Sequence, residues 1–421
     1  MSRKILSTVV VLFAFSVVLS ASAAEADVKP IIIGAPCSIG FSEGRSAANA
    51  IELAVKEVND KGGVLVGGVK RPFKLVILDT RDLEPGVPTS EALLTVEKLI
   101  LQKKADVIIG GPNRSEAGMA TLDLIAKYKK PWIVTSGTYS PKLTAIIGAN
   151  PVKYRHCFRS HGNVMNIFHT LIPFAEEVKS KYGFNSFFQI VQDVTWARGA
   201  GGALAKMLPS KGFENKGMEV VPTGTTEFAP ALLKLKKNGA HLLFFWADMP
   251  QTIVMLKLWS DMKIKAWPIG YSGALHAPGV WKASEGKIAY VLSYEVTAGS
   301  SRAKLGPWQE QFYKAYKKKM GYEPESHGPA SSYMGVYIMA DAIKRAGSVD
   351  ADAIAAALEK TDMMGIYGRM RFDKKHEIIF GTDPAEGAVT GIIQFIEGER
   401  ITIDPAKIAS RPYTVPPWMA K

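Results

Sequence analysis

Short apolar runs rich in branched residues alternate with longer stretches of helical spacing through most of this chain, and that alternation leaves few folds open. Ile31–Ala35, Phe73–Asp79, Asp106–Gly110 and Trp132–Thr135 read as strands. Between them lie helical stretches at Ala47–Asn59, Thr89–Lys104 and Ser115–Lys130, the first ended by the glycines of Asp60-Lys61-Gly62-Gly63. The connections are short, which predicts mostly parallel sheets covered by helices on both faces. The pattern restarts around Tyr154–Arg159. A helix at Asn163–Lys181 leads to strands at Ser186–Val191, Met218–Val221, His241–Trp246 and Ala266–Ile269, with helices at Ala197–Leu208, Ala229–Lys237 and Gln251–Met262 between them. No sequence repeat relates the two series. The later helices, Trp308–Lys319, Ser331–Arg345 and Asp350–Glu359, and the strand-like Ile288–Tyr294, Gly368–Phe372 and Ile392–Ile396 do not form a third series. They must complete the first two, so two discontinuous α/β domains are expected.

Ahead of the first strand, Arg3 and Lys4 precede the apolar run Ile5–Leu19, which ends in Ala21-Ser22-Ala23-Ala24. A basic start, a short apolar core and small residues at its end predict a secretory leader, residues 1–24, cleaved after Ala23 or Ala24. The run is too short for a comfortable membrane span. The expectation is a periplasmic protein with no stable membrane insertion after cleavage. The chain of 421 residues carries a formal net charge of +13, spread over many helices with no dense basic block and no interleaved aromatics, so nucleic acid is not an expected partner. The two cysteines, Cys37 and Cys157, are compatible with either a disulfide or two buried thiols.

Catalytic signatures are missing from the sequence. It has no Gly-x-Ser-x-Gly elbow, no phosphate-binding glycine-lysine loop and no Gly-x-Gly-x-x-Gly after the first strand. No Cys-x-x-Cys or His-x-x-x-His pair suggests zinc. Asp79 and Asp82 sit together at a strand end, where they cap the turn or hold a metal. The reading is a non-enzyme without cofactor.

Open parallel sheets bind ligands at the carboxyl ends of their strands. In Gly110-Gly111-Pro112-Asn113-Arg114-Ser115, Ser115 can cap the following helix, whose free N–H groups suit a carboxylate. Ser136-Gly137-Thr138 forms a second polar turn, and Ser38–Gly44, with Glu43, a third. An ordinary cap or turn uses the same residue types. In the second series Trp196 offers a flat wall, Phe245-Trp246-Ala247-Asp248 ends a strand, and Asp248 can meet an ammonium.

Several of these segments, in this order, resemble the leucine/isoleucine/valine-binding family of periplasmic proteins that serve ABC importers. The resemblance rests on Ile33-Gly34-Ala35-Pro36 with Gly40 and Gly44, Ala54–Gly63, Leu78–Asp82, Ile109–Pro112, Thr135–Thr138, Phe158-Arg159 and Gly321–Pro324. It implies two Rossmann-like lobes with parallel central sheets joined by three crossovers near 155–160, 290–296 and 365–370. Lobe 1 would hold residues 25–157 and 293–366, and lobe 2 residues 158–292 and 367–421. It further implies a small carboxylate-bearing organic ligand, an amino acid or an aromatic or apolar acid, held between the lobes and passed to an importer permease. A ligand-sensing module of a signalling system is the alternative use of this fold. By resemblance Ser115, the Ser136 backbone and the hydroxyl and amide of Thr138 face the ligand, Trp196 replaces a stacking tyrosine, and Trp246 or Asp248 adds a contact; Asn113, Arg114 and Gly137, in the same two turns, are candidates beside them. Two departures bear on the pocket. Glu43 stands where the family has an aromatic, and Tyr271-Ser272 where it often has an acid, for which Glu295 is the candidate substitute.

Overall fold

The computed structural model describes residues 28–325 and 328–419; the expected leader lies outside them. Its first sheet has five strands, all parallel, in the order Phe73–Asp79, Ile31–Cys37, Val107–Ile109, Trp132–Val134 and Cys157–Arg159. The two-residue period of a strand divides its side chains between two cores. Ile31, Ile33, Ala35, Val107, Ile109 and Ile133 face the helices Ser42–Asp60 and Gly328–Ala346, while Ile108, Trp132 and Val134 face Thr89–Leu101 and Ser115–Tyr128. Burial on both faces is why these strands read as continuous apolar runs rather than alternating ones.

The second sheet has seven strands, in the order Glu399–Asp404, Gly391–Ile396, Leu292–Glu295, Trp267–Tyr271, Leu242–Trp246, Ser186–Gln192 and Glu214–Val221. Its last five are parallel; the first two come from the C-terminal segment and run antiparallel to their neighbours. Leu242, Phe244 and Trp246 face one core, and Leu243 and Phe245 the other. The fold is thus α/β with two Rossmann-like lobes. Their sheets share no strand.

The chain passes between the two sheets after Arg159, after Glu295 and after Val389. The last passage differs from the one expected near 365–370. Asp362–Gly365, Gly368–Arg371, Ala388–Val389 and Phe380–Gly381 form a small sheet, and Tyr367, Met370, Phe372, Ile378 and Ala388 pack into the first lobe's core. Apolar burial holds residues 367–389 there, and only residues from 391 onward pair with the second sheet. Cys37 and Cys157 are both buried and unbonded, and burial pushes both thiols to high pKa, Cys37 to about 12. Among the described residues no helix is long and apolar enough to cross a membrane.

Candidate functional site

A cavity of about 700 Å³ lies where strand ends of both sheets face each other. The first lobe contributes Glu43, Leu83, Pro85, Asn113, Arg114, Ser115 and Tyr139; across it stand Gln192, Trp196, Thr223 and Asp248. All belong to the turns that follow parallel strands, or to the helix starts after them.

Glu43 is in the first turn of helix Ser42–Asp60 and is only 4% exposed, accepting a 2.6 Å hydrogen bond from the Tyr139 hydroxyl. The tight approach that buries it depends on Gly44, where a Cβ would lie 2.2 Å from the Ser38 carbonyl oxygen. Asn113 is 5% exposed, and both atoms of its amide lack a hydrogen-bond partner among the described residues. A buried amide left open on a cavity wall has its hydrogen-bonding capacity available to a guest. Arg114 presents its side chain to solvent while its N–H donates to Asp82 at 2.6 Å.

Ser115 does not cap its helix. It is the first helical residue, Arg114 holds the cap position, and the Ser115 hydroxyl oxygen accepts from the Ser140 N–H at 3.1 Å. Ser115 also lines the cavity. The Ser136–Thr138 turn also differs from expectation. Thr138 gives its N–H to Asn113 O at 2.7 Å and its hydroxyl proton to Pro112 O at 2.9 Å. Gly137 and Thr138 are both left-handed, with φ of +68° and +49°. Ser136, Gly137 and Thr138 therefore lie behind the cavity wall and shape the Asn113–Ser115 turn, while Tyr139 reaches the cavity itself.

On the second lobe Trp196 lies in the first turn of helix Thr195–Met207, half-buried, with its ring edge-on to Tyr271 at 5.8 Å. Asp248 accepts the Gly273 N–H at 2.9 Å, and its own N–H goes to the Gln192 side chain at 2.7 Å. Burial, then the nearby Glu43 charge, raise the Asp248 pKa against the opposing pull of the Gly273 hydrogen bond. Trp246 is not a wall. It points with Leu242 and Phe244 into the core, donates to Gln189 Oε1 at 2.9 Å and is fully buried. Tyr271 lies behind Trp196, stacked on Tyr294 at 5.4 Å. Glu295 is fully buried outside the cavity lining and accepts the Ser301 hydroxyl at 2.6 Å.

The structure thus brings Glu43, Asn113, Arg114, Ser115, Trp196 and Asp248 together around one cavity and leaves Ser136, Gly137, Thr138, Trp246, Tyr271 and Glu295 off its surface. Sequence reasoning missed Tyr139, Leu83, Pro85 and Thr223, which carry no motif. It also missed Gly118, whose Cβ would lie 2.0 Å from Thr138 Oγ1. Asp79 accepts the N–H groups of Ile39 and Arg81 as a turn cap, and no group of three or more His, Cys, Asp or Glu among the described residues is placed to hold a metal.

Burial drives Glu295 from 4.5 up to about 7, against the lowering pulls of the Ser301 hydrogen bond and the Arg400 charge. A raised carboxyl pKa means the folded state holds its proton longer than the unfolded state. Its stabilising contribution is complete below pH 4.5 and is lost as pH rises through about 7. Glu295→Gln should therefore match the native protein at pH 4 and exceed it by about 3 kcal/mol at pH 8. Urea unfolding at the two pH values checks this; equal gains at both would show that the charge on Glu295 is not what matters.

The periplasmic binding protein family matches residues 38–382. The chain belongs to that family. It is similar to Leu/Ile/Val-binding protein homolog 7 of Brucella suis, 23% identical over 377 residues, covering 86% of this chain and 87% of the relative. It spans about half, 53%, of the length of Leu/Ile/Val-binding protein homolog 1 of Brucella abortus. Among solved structures, a branched-chain amino acid transporter substrate-binding protein of Streptococcus pneumoniae in complex with isoleucine superposes with a TM-score of 0.71 at 20% identity, covering 89% of this chain and all of that one. A solute-binding protein of R. palustris in complex with benzoate superposes with a TM-score of 0.70 at 16% identity, covering 93% and 99%. At these identities the two structures establish the shared fold of this family member.

Proposed function

We propose that this protein is the periplasmic solute-binding component of an ABC importer, binding a small carboxylate-bearing organic ligand between its lobes and presenting the closed form to a permease. It binds and does not catalyse. The observation that carries this reading is the cavity built from strand-end turns of both sheets, with the open Asn113 amide and the Ser115 hydroxyl at a helix start on one side and Trp196 and Asp248 on the other. The carboxylate sits at the Asn113–Ser115 turn, where the open Asn113 amide, the Ser115 hydroxyl and the positive helix end favour an anion. The ligand's apolar body lies on Trp196. Closure follows because a ligand touching both lobes binds the closed form better than the open one. The lobe boundary in the return segment falls near residue 390, where pairing changes from the small sheet to the second sheet.

Between an amino acid and an aromatic acid, Asp248 favours the amino acid. A partly buried carboxylate whose pKa is pushed up gains from an ammonium beside it. The case for an aromatic acid rests on Trp196 and on the benzoate held by the R. palustris neighbour; Trp246, which would have strengthened it, lies in the core.

A thermal-shift series with L-leucine, L-isoleucine and benzoate tests the reading. Ligand at a hundred times Kd adds about 2.7 kcal/mol of apparent stability. Asn113→Ala should then weaken the ligand that binds by roughly 10- to 150-fold, the loss of a hydrogen bond to a charged group. Calorimetry with no heat for any of the three compounds, or an unaffected Asn113→Ala variant, rejects the proposed site.

A further inference from the structure

Arg159 lies on the first passage between the lobes and is not part of the cavity lining, yet its guanidinium reaches the turn that forms the cavity's wall. It is 1% exposed. Nη1 donates to the carbonyl oxygens of Thr138 at 2.8 Å and Ser140 at 3.0 Å, the residues on either side of Tyr139. Nη2 donates to both oxygens of Glu377, at 2.8 and 2.9 Å, and to the Thr144 hydroxyl. Glu377 also accepts from Asn163 Nδ2 at 2.6 Å and from Thr144, and its N–H is held by Asp373 at 3.0 Å. The backbone repeats the link, with Arg159 N–H donating to His376 O and Ile378 N–H donating to Arg159 O, each at 2.9 Å.

The turn needs this help. Gly137 and Thr138 are successive left-handed residues, so the chain leaves the sheet ladder and its carbonyl oxygens turn inward. Buried carbonyls require donors. A planar guanidinium serves two carbonyls and one carboxylate at once, which an ammonium on a flexible stem does not. With both neighbours gripped, the backbone at Tyr139 is held where the side chain's hydroxyl donates to Glu43 and its ring meets His161 edge-on at 4.9 Å.

We propose that Arg159, fixed by Glu377, is the positioning residue for Tyr139 in the ligand cavity, so that a side chain at the interlobe passage sets the shape of the ligand wall. The inference rests on the cavity being the ligand site, but its test needs no ligand and is decided whichever compounds bind.

Arg159→Lys and Glu377→Gln are compared with the native full-length protein by amide hydrogen exchange and by the fluorine resonance of a single fluorotyrosine at position 139. Exchange across residues 135–141 should quicken about tenfold or more in Arg159→Lys, and by a smaller factor in Glu377→Gln, which keeps a neutral acceptor. Exchange in Ile31–Cys37 and Ser186–Gln192 should stay at native rates, and the fluorine line should shift or broaden. Equal acceleration in Ile31–Cys37 would mean an ordinary structural ion pair and would overturn the proposal. Unchanged exchange at 135–141 would overturn it too, as would a fluorine line that does not move while the turn loosens.

Discussion

Glu377→Leu should lower the stability of the unliganded protein by about 3–5 kcal/mol, the cost of stranding one partner of a buried ion pair. Arg159 is 1% exposed and Glu377 6% exposed, so water cannot replace the lost carboxylate without opening the first lobe. The guanidinium keeps its bonds to Thr138 and Ser140, but its charge is left uncompensated. A fall in melting temperature of roughly 10 °C follows from the usual relation between stability and midpoint. The double variant Arg159→Met with Glu377→Leu should regain part of that loss, because removing both charges removes the stranded one while the Thr138 and Ser140 carbonyls lose their donor. Scanning calorimetry of the two single variants and the double variant checks this. Losses that simply add would show that the two side chains do not act as a pair.

Gly137→Ala should cost about 2–4 kcal/mol and damage the cavity at the same time. Its φ of +68° disfavours any residue with a Cβ, and the added atom would sit 2.2 Å from Asn113 Cα. Backbone atoms on both sides must move apart, and overpacking of this kind costs about 1–3 kcal/mol before the backbone term is added. The movement displaces Asn113, whose carbonyl accepts the Thr138 N–H and whose open amide lines the cavity. Denaturant unfolding gives the stability loss, and the affinity for whichever of leucine, isoleucine or benzoate binds gives the damage to the cavity. Stability within about 0.5 kcal/mol of native would contradict the close approach of the two turns, since only sites free of such constraints tolerate substitution that well.

Gly137 also illustrates how the candidate site was half legible. The sequence placed a turn at Ser136–Thr138 because a branched apolar run, Trp132–Val134, stops at small and polar residues. It did not reveal which side of that turn faces the cavity. Thr138 looks like a ligand contact in a linear reading, but in the fold its hydroxyl is bonded to Pro112 and Tyr139 takes the cavity position. Trp246 was misplaced for a related reason. A strand end exposes one residue to the cleft and the next to the core, and a run of Leu, Leu, Phe, Phe, Trp carries no polar alternation that would fix the phase. Ser115 and Asn113 were found because a glycine-rich turn before a helix marks a strand end whichever way the side chains point.

What the sequence alone determined is therefore the local order: β-α units of parallel type, their two series, the strand-end turns, and a chain that must cross between lobes. Those follow from hydrophobic period and turn chemistry, which act over a few residues. Contacts between distant segments belong to tertiary structure alone. The Arg159–Glu377 pair joins residues 218 apart, Tyr139 meets Glu43 across 96, and residues 367–389 stay with the first core rather than the second. Local patterns do not encode such pairings, because the free energy that selects them comes from burying apolar area and satisfying buried polar groups once both lobes are assembled.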